Sequence, residues 1–241
     1  MIGAVAAMCL YAAWFAAPSR AASLAYLTIS FGRTQWVATD STCAPLPGAV
    51  ALDRVASDMG TRSLVGTGTV ILDRTKETGF TCVGSFYLSP GWYSLAWLRD
   101  TYGWSVISHS KSYTDMTTLS HEQQTAESCG TLPTFENHGF ARAWGMFAYP
   151  NDRYTTQIQT DIVSNCFAFG RRYGSQIDSS STIAAPWFAS VDSVNGGSCN
   201  VSGVPCRTVS GAVRRYRSPT NLMARVNVQS GQWYDLQFYR S

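Results

Sequence analysis

The stretch WLRDTYGWSVISHSKSYTDMTTLS, Trp97 to Ser120, sets the fold class of this chain. The helical pattern of SPGWYSLAWLRDTYG, Ser89 to Gly103, opens on Ser-Pro and stops at a glycine, the residue that most easily takes the left-handed turn ending a helix. WSVIS follows at once, a short apolar run with β-branched residues, and reads as a buried strand. The run ends in His109, one of only 3 histidines in the chain. Helix, strand, then a polar residue at the strand's carboxyl end is the grammar of a parallel α/β sheet. In such a sheet chemistry collects where the strands end.

Working outward, the same alternation continues. Ala25 to Phe31 (AYLTISF) and Leu64 to Leu72 (LVGTGTVIL) read as strands, and Gly48 to Met59 as a helix. Leu119 to Leu132 is expected to be a helix opened by a capping box, Ser120 with Gln123 three residues on. GMFAYP (Gly145 to Pro150) reads as a strand, Thr155 to Cys166 as a helix and CFAFGR as strand-like. Ser218 to Gly231 reads as a helix and QWYDLQFY as a final strand. Alternating elements over 241 residues, without repeat or linker, predict one domain built of βαβ units, as an open sheet or a barrel.

Composition narrows the function. Net charge is only +3, and the basic clusters GRRYG (Gly170 to Gly174) and RRYR (Arg214 to Arg217) read as solvated faces, so nucleic acid is not an expected partner. GTGTV lacks the G-x-G-x-x-G fingerprint of a dinucleotide site, and no G-x-S-x-G nucleophile elbow is present. The N-terminus, MIGAVAAMCLYAAWFAAPSRAAS, is apolar and ends in a small-x-small pattern. The apolar run is shorter than the roughly 20 residues a spanning helix needs. It is expected to be a secretory signal over residues 1–21, leaving 22–241 as the domain, with no membrane association afterwards. Beyond the signal six cysteines remain, an even set suited to disulfides outside the cell. Cys199 and Cys206 flank a turn-rich segment and are expected to pair. Sequence proximity suggests Cys43 with Cys82 and Cys129 with Cys166.

Two stretches resemble the polysaccharide deacetylase family, carbohydrate esterase family 4. Many of its members carry a glycine-led strand ending in His-Ser/Thr-x-x-His with an Asp-Leu-Thr-like turn, matched here by Gly103 to Thr117. Many also carry Phe-Ala-Tyr-Pro, here Phe147 to Pro150. LTISFG (Leu27 to Gly32) resembles the opening strand and GQWYDLQFY (Gly231 to Tyr239) the closing one. The resemblance implies a distorted, incomplete (β/α) barrel. It also implies a divalent metal, often zinc, that activates water against N- or O-acetyl groups of sugars, with an Asp and two His as ligands, a second Asp as base and a last His as acid.

The residues that do this chemistry are largely missing. Gly32 follows Phe31 directly, where the family has an Asp-Asp pair; Tyr113 stands for the second His and Tyr239 for the closing one. A phenol is a poor zinc ligand, and His109 alone cannot make a site that needs about three protein ligands. His109, Tyr239 and Asp115 are the candidate catalytic residues. His109 is the one metal ligand the motif retains, and zinc is doubtful for that reason. Tyr113, Tyr149, Arg142, Trp144 and Trp233 are the candidate glycan-binding residues. Trp92, Trp104 and Trp187 are further candidates for stacking on sugar rings, or else core residues. His121 and His138 read as ordinary surface. The expectation is a monomeric, secreted or cell-envelope deacetylase-like protein acting on a polysaccharide or peptidoglycan-type glycan. The alternative is a catalytically inactive member that binds glycan.

Overall fold

A computed structural model describes residues 26–173 without interruption and, beyond them, five further strands. In chain order the elements are β1 (Tyr26–Phe31), β2 (Val37–Ala38), α1 (Leu52–Gly60), β3 (Thr67–Val70), β4 (Phe80–Val83), β5 (Tyr87–Pro90), α2 (Trp92–Tyr102) and β6 (Ser105–Ser108). Then come α3 (His121–Glu127), α4 (Leu132–Asn137), β7 (Phe147–Ala148), β8 (Gly170–Tyr173), β9 (Asp178–Ser179), β10 (Ala189–Ser193), β11 (Cys206–Val209), β12 (Ala212–Arg215) and β13 (Gln232–Phe238). The signal peptide expected over 1–21, Cys199, Trp187, Tyr239 and the helix expected over Ser218 to Gly231 lie outside the described residues.

Seven strands run parallel in the order β1, β3, β6, β7, β8, β10, β13, and β13 pairs back onto β1 from Tyr26↔Trp233 to Phe31↔Phe238. One strand fewer than the usual eight, with junctions as short as the single pair Ser108↔Phe147, makes this the distorted, incomplete (β/α) barrel. Because the strands are parallel, the segments after Phe31, Val70, Ser108 and Ala148 all emerge at one mouth. Arg33, Arg74, His109 and Tyr149 therefore share an end of the barrel.

The helices follow from local signals in the chain, with trimmed limits. α2 turns Trp92, Leu95 and Leu98 inward, and Gly103 ends it at φ 73 with its N–H on the Arg99 carbonyl at 2.8 Å. Its start differs from expectation. Ser89 and Pro90 belong to β5, which pairs with β4, and the helix begins only after Gly91. The capping box is present, with Ser120 and Gln123 each bonding the other's backbone N–H. The helix it opens is not continuous to Leu132: Cys129–Thr131 tighten into a 3-10 turn before α4. Thr155 to Cys166 likewise forms no regular α-helix but a π-helical turn, Ile158–Ile162, and a 3-10 turn, Val163–Asn165. A small antiparallel sheet of β2, β5 and β4 was not anticipated; its strands are two to four residues long, too short for a clear period-two pattern.

Two disulfides, Cys43–Cys82 and Cys129–Cys166, fasten loops to this frame. The first ties the segment after β2 to β4, and the second ties the 3-10 turn after α3 to the segment preceding β8.

Candidate functional site

The junction after β1 is where the resemblance would place the Asp-Asp pair. Here it is Gly32-Arg33-Thr34. Arg33 (φ 59) and Thr34 (φ 40) both take left-handed backbone, a costly choice for a β-branched threonine. Thr69 on the neighbouring β3 pays for it. Its hydroxyl receives the Arg33 N–H and donates to the Phe31 carbonyl at 3.2 Å, while the Thr34 hydroxyl donates to the Thr69 carbonyl at 2.9 Å. Gly68 leaves the room, since a Cβ there would stand 2.6 Å from Thr34 Oγ1. The turn aims the Arg33 side chain at Tyr113, whose hydroxyl it reaches at 2.7 Å through Nη2.

Strain of this kind is concentrated at the mouth. Eight non-glycine residues among those described have positive φ, and six of them, Arg33, Thr34, Ser110, Tyr113, Asn151 and Asp152, follow β1, β6 and β7. Strained backbone persists where surrounding structure fixes it, and it gathers at functional sites.

His109 forms the floor. It is 1% exposed, and its Nδ1 lies 2.8 Å from the Ala148 carbonyl. A carbonyl only accepts, so Nδ1 carries the proton and Nε2 keeps a lone pair. That Nε2 is buried and has no hydrogen-bond partner. A histidine anchored through one nitrogen to a backbone carbonyl, with the other bare, is how a metal-ligating histidine is usually held. The surroundings are the opposite of a metal site. Burial lowers the His109 pKa to about 3, and the charges of Arg171, Arg33 and Arg74 push it the same way. Tyr113 meets the imidazole edge to face, ring centroids 4.9 Å apart. The Arg33 and Arg74 guanidinium carbons lie 4.6 and 5.2 Å from the Tyr113 ring centroid. Arg74 is further held by the Tyr87 hydroxyl at 2.8 Å.

The donor set does not fit zinc. A divalent cation at Nε2 would be repelled by the charges of Arg171, Arg33 and Arg74, which already disfavour a cationic His109, where it needs anionic or neutral ligands. Among the described residues no group of three or more His, Cys, Asp or Glu side chains is placed to hold a metal ion.

The structure brings His109, Tyr113 and Tyr149 to the same mouth. Tyr149 is buried against Phe147 and Tyr154, its hydroxyl without a hydrogen-bond partner, and burial holds that phenol well above its ordinary pKa. Asp115 has a local task. Its carboxylate accepts from the Thr117 hydroxyl at 2.7 Å and backbone N–H at 3.0 Å, bonds that lower its pKa, and it lies 4.0 Å from Arg153. Arg142 and Trp144 precede β7, and Arg142 lines a cavity with Gly103 to Val106 at the start of β6. They sit at the opposite mouth from His109, with Trp144 54% exposed. Trp233 pairs with Tyr26 inside β13; its side chain and Tyr239 lie outside the described residues.

Trp92 and Trp104 follow the core alternative: Trp92 meets the Phe135 ring edge-on, and Trp104 stacks on Phe31 at 4.9 Å. Two readings change. His138 is not plain surface, since it stacks on Trp92 at 4.1 Å and bonds the Thr134 carbonyl through Nδ1. GRRYG is not a solvated face at Arg171, which is 3% exposed and donates to Ser30 Oγ at 3.0 Å. A strand walled on both sides buries even its charged residue. The sequence reading missed Arg33, Arg74 and Arg171 as site residues. Arg33 had one signal, its place beside Gly32 where the resemblance wanted carboxylates.

No family model matches the sequence, and none of the curated proteins is similar to it. Solved structures are. The deacetylase PplD of Streptococcus pyogenes, in complex with acetate, aligns at TM-score 0.51 and 15% identity over 68% of this chain and 62% of that one. This chain thus spans less than two thirds of PplD's length. The Xyl-CE4 domain of a multidomain xylanase from the hindgut metagenome of Trinervitermes trinervoides aligns at TM-score 0.44 and 15% identity, over 88% of this chain and 73% of the other. A family 4 carbohydrate esterase from Streptomyces lividans, also with acetate, aligns at 0.40 and 17%, over 60% of each. The fold is that of the family 4 polysaccharide deacetylases.

Proposed function

We propose that this chain is an extracellular or cell-envelope protein that keeps the polysaccharide deacetylase scaffold and binds a cell-wall or environmental glycan at the His109 mouth, without metal-assisted hydrolysis. The observation that carries the reading is Arg33. A fixed cation, aimed by a strained turn that Thr69 holds, stands where the metal chemistry would need its carboxylates. Export is supported by the disulfides Cys43–Cys82 and Cys129–Cys166 and by the apolar N-terminus. The glycan rests on the fold and on the two motif resemblances. A second reading, a hydrolase of N- or O-acetyl groups with replacement ligands, is favoured by one observation, the bare Nε2 of a carbonyl-anchored His109.

Calorimetric titration of the purified chain with oligomers of several plant and bacterial wall glycans tests the proposal. Saturable binding to at least one, weakened in Tyr113→Ala, is the expected result. Absence of binding to all of them, together with acetate release that requires added metal, would hand the site to the second reading.

A further inference from the structure

We infer that the outer face where α1 meets α2 carries a glycan-binding platform of its own, a cavity of about 290 Å³ lined by Trp36, Asp53, Tyr93, Ser94 and Trp97 that seats one pyranose ring of a polysaccharide chain. The platform shares its ligand class with the reading above and none of its residues. Its parts follow from the chain. α2 turns Trp92, Leu95 and Leu98 into the core, so Tyr93 and Trp97, four positions apart, stand together on the outer face. Tyr93 is 72% exposed. Asp53 lies in the first turn of α1, and the Leu52 N–H beside it donates to the Trp36 carbonyl at 2.7 Å, which draws the segment after β1 to the same place. Trp97 is braced edge-on by Tyr102, ring centroids 5.3 Å apart, and Trp36 by Phe80 at 5.2 Å. Both tryptophans stay open to solvent.

The chemistry of the lining selects a sugar. Each of the five side chains ends in a hydrogen-bonding group, and none is aliphatic. Three are aromatic rings, whose faces offer apolar area to the C–H face of a pyranose. Among the described residues the two indole N–H groups and the Tyr93 and Ser94 hydroxyls make no hydrogen bond. Asp53 accepts only from the Arg54 backbone N–H, at 2.7 Å through Oδ1, and no cation among the described residues pairs with it. Its second oxygen is therefore available to sugar hydroxyls, and a charged acceptor makes the stronger bond. An apolar protein partner would bury that carboxylate and both indole N–H groups without answering them, at a cost. The volume lies at the lower edge of the roughly 300–1,000 Å³ of small-ligand clefts, which suits one ring of a longer chain.

The test is calorimetry of the full chain with soluble β-1,4-linked hexamers of glucose, xylose and N-acetylglucosamine. At least one is expected to bind, and the same hexamer should shift the tryptophan fluorescence of the native chain. Tyr93→Ala should weaken it about tenfold, the loss of one stacked ring, while Tyr93→Phe keeps most of the affinity. Asp53→Asn, which keeps an acceptor and removes the charge, should weaken it about threefold or more. Tyr93 projects into solvent, so its variants leave the core untouched, and the fluorescence shift needs no variant at all. Tyr113→Ala separates this face from the His109 mouth. Binding lost in Tyr93→Ala and unchanged in Tyr113→Ala supports the platform and sinks the mouth reading. Binding lost in Tyr113→Ala and unchanged in Tyr93→Ala and Asp53→Asn overturns the platform and leaves the mouth reading standing. No binding of any hexamer, or a concentration-dependent dimer that Tyr93→Ala dissolves, overturns the platform as well.

Discussion

Zinc, cobalt or nickel added to the purified chain is expected to leave acetate release from acetylated sugar oligomers on the order of 10⁴-fold or more below that of a metal-loaded deacetylase of this fold. Two losses add. Positioned acid–base help is worth about 10²–10⁴ in rate, and a metal supplies several kcal/mol more by acidifying water and polarising the acetyl carbonyl. His109 is the one remaining group of the family's set, and among the described residues the charges that act on it are those of Arg171, Arg33 and Arg74. With a pKa near 3 it is neutral at physiological pH, and so weak a base gains little from taking a proton off water. Release assayed with each metal in native and His109→Ala chains decides the matter. Metal-dependent turnover that disappears with His109 would make the altered-site hydrolase the better account.

The second large effect is on acid stability. A histidine whose pKa falls from 6.5 unfolded to about 3 folded contributes its full stability above pH 6.5. Between 6.5 and 3 the unfolded chain takes up a proton that the folded chain refuses. Stability is therefore lost as pH falls, at about 1.4 kcal/mol per pH unit for this one group, and several kcal/mol across the window. Other groups titrate in the same range, so the measurement is a difference. Denaturant unfolding from pH 7 to pH 4 should give a pH slope steeper in the native chain than in His109→Gln by close to one proton. Equal slopes would mean that His109 is solvated or paired with a carboxylate, and the cationic surroundings described above would be wrong.

Much of the architecture was readable from local signals. Gly103 marks the end of α2 because only a left-handed residue closes that turn, and the apolar run after it had nowhere to go but into the sheet. Ser120 and Gln123 announced the start of α3, since capping is a contact three residues long. His109 at a strand's carboxyl end followed from the same logic. What escaped reading depends on contacts far apart in sequence. Arg33 is aimed by Thr69, 36 positions on, and Arg171 is buried on Ser30, 141 positions back. A basic pair in GRRYG looks solvated until neighbouring strands wall it in. Arg142 and Trp144 sit close in sequence to Tyr149, yet β7 carries the chain from one mouth of the barrel to the other between them.

If a cationic mouth stands where this fold's metal would sit, the native chain holds no zinc. Equilibrium dialysis against micromolar zinc, followed by metal analysis, should find no stoichiometric metal, and neither Arg33→Gln nor His109→Ala should change the result. One zinc per native chain, lost on His109→Ala, would show a metal site at His109 instead.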